Sequence, residues 1–300
     1  MTVPFIGQEA ESALDWLALT RALETGHTLP RAEIGDTFLY RDPDTLLSRA
    51  AWIDGLGQLV KTATIFPGNA AAGKPTIGGA VSLFSDTDGT LAAMLDFALV
   101  TKWKTAGDSL LAATRLARTD SRRILIVGSG TVAASLHSAY YAAFPDAAFT
   151  VWSRDPAKAR AFADRFDIAA ADDLAQAVPE ADIVTCATMA TDPVIRGEWL
   201  RPGQHIDLIG AYRPDMREAD DTALRRADIF VDARATTLDH IGELKIPLAS
   251  GAITPADVLA DYYDMAALTR TSDDQITLFK NGGGAHLDLM TARYILDTVG

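Results

Sequence analysis

Thiols are almost missing from this chain. One of its 300 residues is cysteine, Cys186, so no intrachain disulfide can form and no cysteine cluster can hold a metal. Cys186 sits in the apolar run Ile183-Val184-Thr185-Cys186-Ala187, which reads as a buried strand where a thiol acts as a small hydrophobe. An excess of positive charge is lacking too: 27 Lys and Arg stand against 40 Asp and Glu, a formal net charge of -13. That balance argues against nucleic acid as a partner, because binding phosphate backbones needs a basic footprint. No window approaches the roughly 18 apolar residues of a membrane span, and Glu9, Glu11 and Asp15 interrupt the first apolar stretch, which argues against a signal peptide. A cytoplasmic protein is expected. The histidines His27, His137, His205, His240 and His286 never fall at H-x-x-x-H or H-E-x-x-H spacing, so no metal site is expected. No G-x-S-x-G element suggests a serine hydrolase. The acidic pairs Asp172-Asp173, Asp220-Asp221 and Asp273-Asp274 read as helix caps or solvated surface.

What is present follows two grammars. Residues 8–26 show helical spacing of Ala13, Trp16, Leu17 and Leu23, with Gly26 as a stop. Short alternating stretches at 36–40, 45–50, 59–66 and 76–84 come next, separated by turn signals at Pro43, Pro67-Gly68-Asn69 and Asp86-Thr87-Asp88-Gly89. Strands in succession after a helix predict an α+β domain with an antiparallel sheet. An amphipathic helix is predicted over 104–117. From Arg118-Thr119-Asp120-Ser121 onward, apolar strand runs alternate with helices, the pattern of a parallel sheet covered by helices. The predicted fold class is therefore α/β.

The strand Ile124-Leu125-Ile126-Val127 runs into Gly128-Ser129-Gly130-Thr131-Val132-Ala133. This is the G-x-G-x-x-[G/A] fingerprint of a Rossmann-type dinucleotide site, after a strand and opening a helix. The first glycine makes the tight turn, the second admits a diphosphate to the backbone, and Ala133 lets helix pack on strand. The diphosphate would meet the amides of the helix N-terminus. The second strand ends Val151-Trp152-Ser153-Arg154. Ser153 stands where an acid would meet a free 2′-hydroxyl. With Arg154 it suits a 2′-phosphate instead. NADPH is favoured and NADH is left open. Asp155 before Pro156 reads as a helix cap.

Further motifs in order are Lys61 followed by Phe66-Pro67-Gly68-Asn69, Thr101-Lys102-Trp103-Lys104-Thr105-Ala106, Pro202-Gly203-Gln204-His205-Ile206, Arg217-Glu218 and Ile276-Thr277-Leu278-Phe279-Lys280. With the glycine turn, they make the chain similar to the ornithine cyclodeaminase and mu-crystallin family over nearly its whole length. The resemblance implies a homodimer, with 1–117 and 280–300 as substrate-binding and dimerisation domain and 118–279 as the Rossmann domain. It also implies that Arg31, Lys61 and Lys104 hold a substrate carboxylate, a role cations suit on their own account. Lys104 departs from the family's usual Arg and offers a point charge in place of a fork. The cofactor set expected is Thr105, Gly128, Gly130, Thr131, Val132, Ser153, Arg154 and Thr188, with Gly283 and Asp288 in the closing segment near the nicotinamide.

A second departure bears on the reaction. Ornithine cyclodeaminases carry an Asp after the Gly of the strand preceding the Pro and Glu motif. This chain reads Ile209-Gly210-Ala211-Tyr212-Arg213-Pro214, and the aligned position is Tyr212. A phenol replaces a carboxylate poorly at neutral pH, so the resemblance points to reductases of cyclic ketimines such as Δ1-pyrroline-2-carboxylate. Lys61 and Tyr212 are the catalytic candidates, Lys61 to bind carboxylate or relay a proton and Tyr212 to orient the ring nitrogen or wall the pocket. An alanine-type dehydrogenase, a cyclodeaminase and a non-catalytic NADPH-binding protein remain as alternatives.

Overall fold

The computed structural model describes residues 3–300. Contacts divide the chain into two units, one running up to Lys104 and resuming at Gly283–Gly300, the other Thr105–Gly282.

In the first unit, β1 (Phe5–Ile6) leads through a short 3-10 turn at Gln8–Ala13 into α1 (Trp16–Gly26). The single helix expected over 8–26 is thus broken. Asp15 adopts extended backbone and its carboxylate accepts from the Ala18 amide at 2.7 Å, starting a new helix at Trp16. Strands β2 (Glu33–Arg41), β3 (Asp44–Ile53), β4 (Gly57–Ile65), β5 (Ile77–Phe84) and β6 (Leu91–Asp96) form an antiparallel meander, with β1 added parallel to β6. The antiparallel sheet predicted from alternation is there, with longer strands and with β6 as the partner across the Asp86–Gly89 turn.

Alternation decides the faces of this sheet. Ala51 and Ile53 on β3, and Leu59 and Ala63 on β4, are buried, whereas Trp52 between the first two is 53% exposed. Register aligns Ala51, Leu59 and Leu83 in one row and Arg49, Lys61, Val81 and Leu95 in the next row on the same face. Two cations therefore occupy core positions. Helix α2 (Phe97–Leu116) starts before the predicted 104; in its first turn Leu99 and Val100 are buried and Ala98 is exposed. The Asp96 carboxylate accepts from the Leu99 amide at 2.8 Å. Trp103 stacks on Trp16 with centroids 3.8 Å apart.

The second unit carries β7 (Arg123–Val127), α3 (Thr131–Ala143), β8 (Ala148–Trp152), α4 (Pro156–Phe166), β9 (Ala169–Ala170), α5 (Leu174–Glu180), β10 (Ile183–Cys186), β11 (His205–Leu208), α6 (Asp221–Arg226), β12 (Asp228–Val231), α7 (Arg234–Thr237), α8 (Gly242–Ser250), β13 (Val258–Ala260) and β14 (Thr277–Lys280). The eight strands pair in the order β13-β12-β14-β11-β10-β7-β8-β9, all parallel. The α/β class read from the alternation is borne out. Asp155, Asp173 and Asp220 cap α4, α5 and α6 through their carboxylates. Cys186 is fully buried in β10, and burial holds its thiol well above the ordinary range. The strand sequence runs outward from β7 on one side and resumes with β10 on the other, so the loops after β7 and β10 open at the switch point where doubly wound sheets take ligands.

The last helix, α9 (Ala285–Val299), returns to the first unit and lies on the core face of its sheet. Residues Ala285 to Ala292 are buried throughout.

Candidate active site

The glycine turn of the second unit is built from close approach. Gly128 has φ +121°, and its amide donates to the Trp152 carbonyl at 2.8 Å. A Cβ there would lie 2.7 Å from the Ala187 carbonyl oxygen, so no other residue fits without strain. Gly130 differs. Its φ of -88° is open to any residue, and an added Cβ would meet nothing within 4 Å. The space beside it is free, and no side chain caps α3, whose first residues Thr131 and Val132 are exposed. Backbone amides at a helix start with room before them fit a diphosphate.

A cavity of about 490 Å³ opens here, walled by Gly128, Gly130, Ser153, Arg154 and Thr188. The Ser129 hydroxyl donates to that of Ser153 at 3.1 Å. Lys158, which the sequence did not single out, also lines this cavity and adds a second cation beside Arg154. It follows Asp155 by one turn of α4, a spacing that could have flagged it. Asp155 accepts from the Ala157 and Lys158 amides at 3.0 and 3.4 Å, as expected of a cap.

In the first unit, β3, β4, α2 and α9 bring charges together under cover. Lys61 donates to Asp288 at 2.8 Å, and both are buried. The Arg49 guanidinium stands 3.9 Å from the other Asp288 oxygen, grips Asp36 at 2.7 Å and donates to the Gly283 carbonyl at 2.9 Å. Lys61 also lies over the Phe97 ring, 4.8 Å from its centroid. Burial lowers the Lys61 pKa, and Lys104 and Arg49 lower it further against the opposing pull of Asp288. Burial alone would raise the Asp288 carboxyl, but Lys61, Lys104 and Arg49 together hold it below the usual carboxylate range. His286, also buried, is pushed down to about 3 by burial first and Lys104 next, and so stays neutral.

Lys104 is 7% exposed, and among the described residues no hydrogen bond or ion pair engages its ammonium. Around Asp288 and Asp36 there are three cations, Lys61, Lys104 and Arg49. One positive charge is in surplus in a covered place, which an anionic ligand would offset. Arg49, Asp36 and His286 were missed by sequence reasoning. An arginine at an inward position of the alternating run Leu47, Arg49, Ala51 is the signal that was available.

Arg31 is exposed ahead of β2. Thr105 accepts from the Asn281 amide nitrogen at 3.0 Å through its carbonyl. Gly283 has φ +73° and its carbonyl is the one bound by Arg49. Tyr212, in the loop after β11, is 56% exposed, with the Arg213 guanidinium 5.7 Å from its ring centroid.

A glycine turn and free helix start on a parallel sheet, together with a unit carrying a buried cation cluster, define a two-unit dehydrogenase-like protein. The chain belongs to the ornithine cyclodeaminase/mu-crystallin family, whose profile matches residues 54–300. Among curated relatives it is 55% identical over 296 residues to the Δ1-pyrroline-2-carboxylate reductase of Paracoccus denitrificans, covering 96% of this chain and 94% of that one. Among solved structures, an archaeal alanine dehydrogenase dimer with bound NAD superposes with a TM-score of 0.90 at 26% identity, over 99% of this chain and 96% of that one. The Thermococcus litoralis Δ1-pyrroline-2-carboxylate reductase in complex with NADH and L-proline shares the fold, with a TM-score of 0.89 at 23% identity over 99% and 97% of the two chains. Among the described residues, no helix is long and apolar enough to cross a membrane, and no group of acidic, His or Cys side chains could hold a metal ion.

Proposed function

We propose that this chain is an NAD(P)H-dependent reductase of cyclic ketimine carboxylates, forming L-proline from Δ1-pyrroline-2-carboxylate or L-pipecolate from Δ1-piperideine-2-carboxylate. The surplus cation at Lys104 carries the reading: the substrate carboxylate supplies the charge that the cluster lacks. The 55% identity to a reductase of this type supports it. Lys104 and, from its exposed position, Arg31 take the carboxylate. Lys61, whose pKa burial lowers, holds the proton that the ring nitrogen acquires. Asp288 fixes the Lys61 ammonium in place and stands with Gly283 in the closing segment toward the nicotinamide. Tyr212 orients the ring. The nicotinamide, when bound, supplies the hydride for the imine carbon, so hydride and proton together complete the two-electron reduction.

The nucleotide lies on Gly128, Gly130 and the amides of Thr131 and Val132, with Thr105, Thr188 and Gly283 at its nicotinamide end. We assign NADPH as the preferred form, on Ser153, Arg154 and the nearby Lys158. The double substitution Ser153→Asp with Arg154→Ile is expected to move the NADPH-to-NADH ratio of kcat/KM toward NADH by about 100-fold, the worth of one or two charge-assisted hydrogen bonds. An unchanged ratio would remove both residues from the 2′-phosphate site.

We further propose a homodimer formed through the outer face of the six-stranded sheet. Leu39, Leu46, Trp52 and Val60 are exposed on that face, and every residue of the edge strand β2 is exposed. Apolar surface and an open strand edge of this kind are what a second copy covers.

The reaction is tested by following NADPH absorbance with Δ1-pyrroline-2-carboxylate, then with pyruvate plus ammonia, and by incubating ornithine with NAD. Rapid oxidation is expected with the cyclic imine alone. Turnover confined to pyruvate would make the chain an alanine dehydrogenase, and proline formed from ornithine would make it a cyclodeaminase. Nucleotide binding without turnover on any of them would leave a binding protein.

A further inference from the structure

The loops after β10 and β11 are tied to one side chain. Glu218 is fully buried. One carboxylate oxygen accepts from the Thr188 amide at 2.6 Å and from its hydroxyl at 2.8 Å, and the other accepts from the Gly210 amide at 2.6 Å. The loops touch at that point: a Cβ on Gly210 would fall 1.8 Å from the Thr188 carbonyl oxygen. Thr188, with Ala187 and Met189, walls the cavity that also contains Gly128 and Gly130. Ala187 is the residue whose carbonyl closes on Gly128.

We propose that Glu218 is a positioning residue for the nucleotide, its ionised carboxylate clasping the Thr188 and Gly210 loops in the arrangement that walls the nucleotide cavity, so that nucleotide affinity falls as pH falls. The inference rests on the reading of that cavity as the nicotinamide nucleotide site. Two of the three groups on the carboxylate are backbone N–H donors that cannot turn into acceptors. A protonated carboxyl can offer its O–H only to the Thr188 hydroxyl, and without its charge it holds the Thr188 and Gly210 amides more weakly.

The surroundings put this switch within reach of ordinary pH. Burial raises the Glu218 carboxyl to about 7, with Glu243 adding to the rise and Lys280 opposing it. The groups facing it are the Cys186 thiol on β10, Glu243 in the first turn of α8 and Lys280 on β14. Glu243 accepts from the Glu218 and Ala219 amides at 2.7 and 3.0 Å. Its carboxyl is likewise raised by burial, while Lys280 and Arg217 pull it down. Below its folded pKa Glu218 takes up a proton and the clasp loosens; above it the clasp is intact. Bound nucleotide favours the ionised form, so binding releases a proton.

The test is titration of the full-length protein with NADH, followed by nicotinamide fluorescence from pH 6 to 8. NADH is chosen because it carries no 2′-phosphate to titrate in this range. The wild-type Kd is expected to rise about tenfold between pH 8 and pH 6, as the competent fraction of a group titrating near 7 falls. Glu218→Gln should bind at least about tenfold more weakly at pH 8 and show a flat pH profile. Its KM for the imine and its kcat at saturating nucleotide should stay near wild type, a split that general loosening of the fold would not give. Should Glu218→Gln fail to fold, Thr188→Val removes one donor alone and should weaken NADH binding with the pH dependence retained. A wild-type Kd that is flat with pH, or equal binding by Glu218→Gln and wild type, overturns the inference. Absence of NADH binding by the wild-type protein at every pH overturns the cofactor reading itself.

Discussion

Lys61→Met is expected to lower imine turnover by about a thousandfold, within the range that a positioned proton donor contributes, while nucleotide binding measured by fluorescence stays near wild type. The glycine turn belongs to the other unit of the chain. The pH profile should change with the rate. Lys61 carries its proton below its pKa, which burial sets under the ordinary lysine range, so wild-type kcat should fall as pH rises through that value. In the Met variant this falling limb should vanish. Wild-type kinetics in Lys61→Met would remove the residue from the site.

The same substitution should also weaken the fold, and the two effects can be separated. Lys61 is the hydrogen-bonding partner of Asp288, whose second oxygen accepts no hydrogen bond. Removing the ammonium leaves a buried carboxylate short of its partner, at a cost of about 3–5 kcal/mol. Neutralising it in the double variant Lys61→Met with Asp288→Asn should recover much of that stability and none of the activity. Thermal unfolding and NADPH absorbance on the same preparations decide the point. A double variant that regains turnover would show that Lys61 acts through the fold alone.

The second large effect is expected at the glycine turn, where two substitutions of the same size should both weaken nucleotide binding but only one should weaken the fold. Gly128→Ala places a Cβ 2.7 Å from the Ala187 carbonyl oxygen on a backbone with φ +121°. Strain of about 1–3 kcal/mol from the backbone alone should lower Tm by several degrees. The Ala187–Thr188 loop must also move, which should abolish measurable NADPH binding. Gly130→Ala meets nothing within 4 Å and needs no unusual φ. Its Tm should be unchanged, yet the added methyl intrudes on the space proposed for the diphosphate, and NADPH affinity should fall about tenfold or more. Calorimetry with nucleotide titration separates the two. Full affinity in Gly130→Ala would mean that the diphosphate lies elsewhere.

Much of the fold was legible because it is set locally. The alternating stretches at 45–50 and 59–66 pointed to strands of the antiparallel sheet, and apolar runs such as Ile124 to Val127 pointed to the buried parallel strands. Local competition and burial defeated the rest. Asp15 broke a helix that apolar spacing had joined, and the Asp96 carboxylate, accepting from the Leu99 amide, started α2 ahead of its expected beginning. The boundary between the two contact units falls within that helix, at Lys104 and Thr105, where the sequence offers no punctuation.

The sequence by itself determined the glycine turn proposed to hold the nucleotide, since a strand, two glycines and a helix start are neighbours along the chain and their geometry follows from φ and from missing side chains. It also supplied the lysines. Only the tertiary structure decided what those lysines do. Arg49, Lys61, Lys104 and Asp288 come from two strands and two helices, and their pairing depends on which carboxylate folding buries against which cation. A charge left over after that pairing is a property of the packed interior, where removing water makes each unpartnered cation costly until an anion arrives.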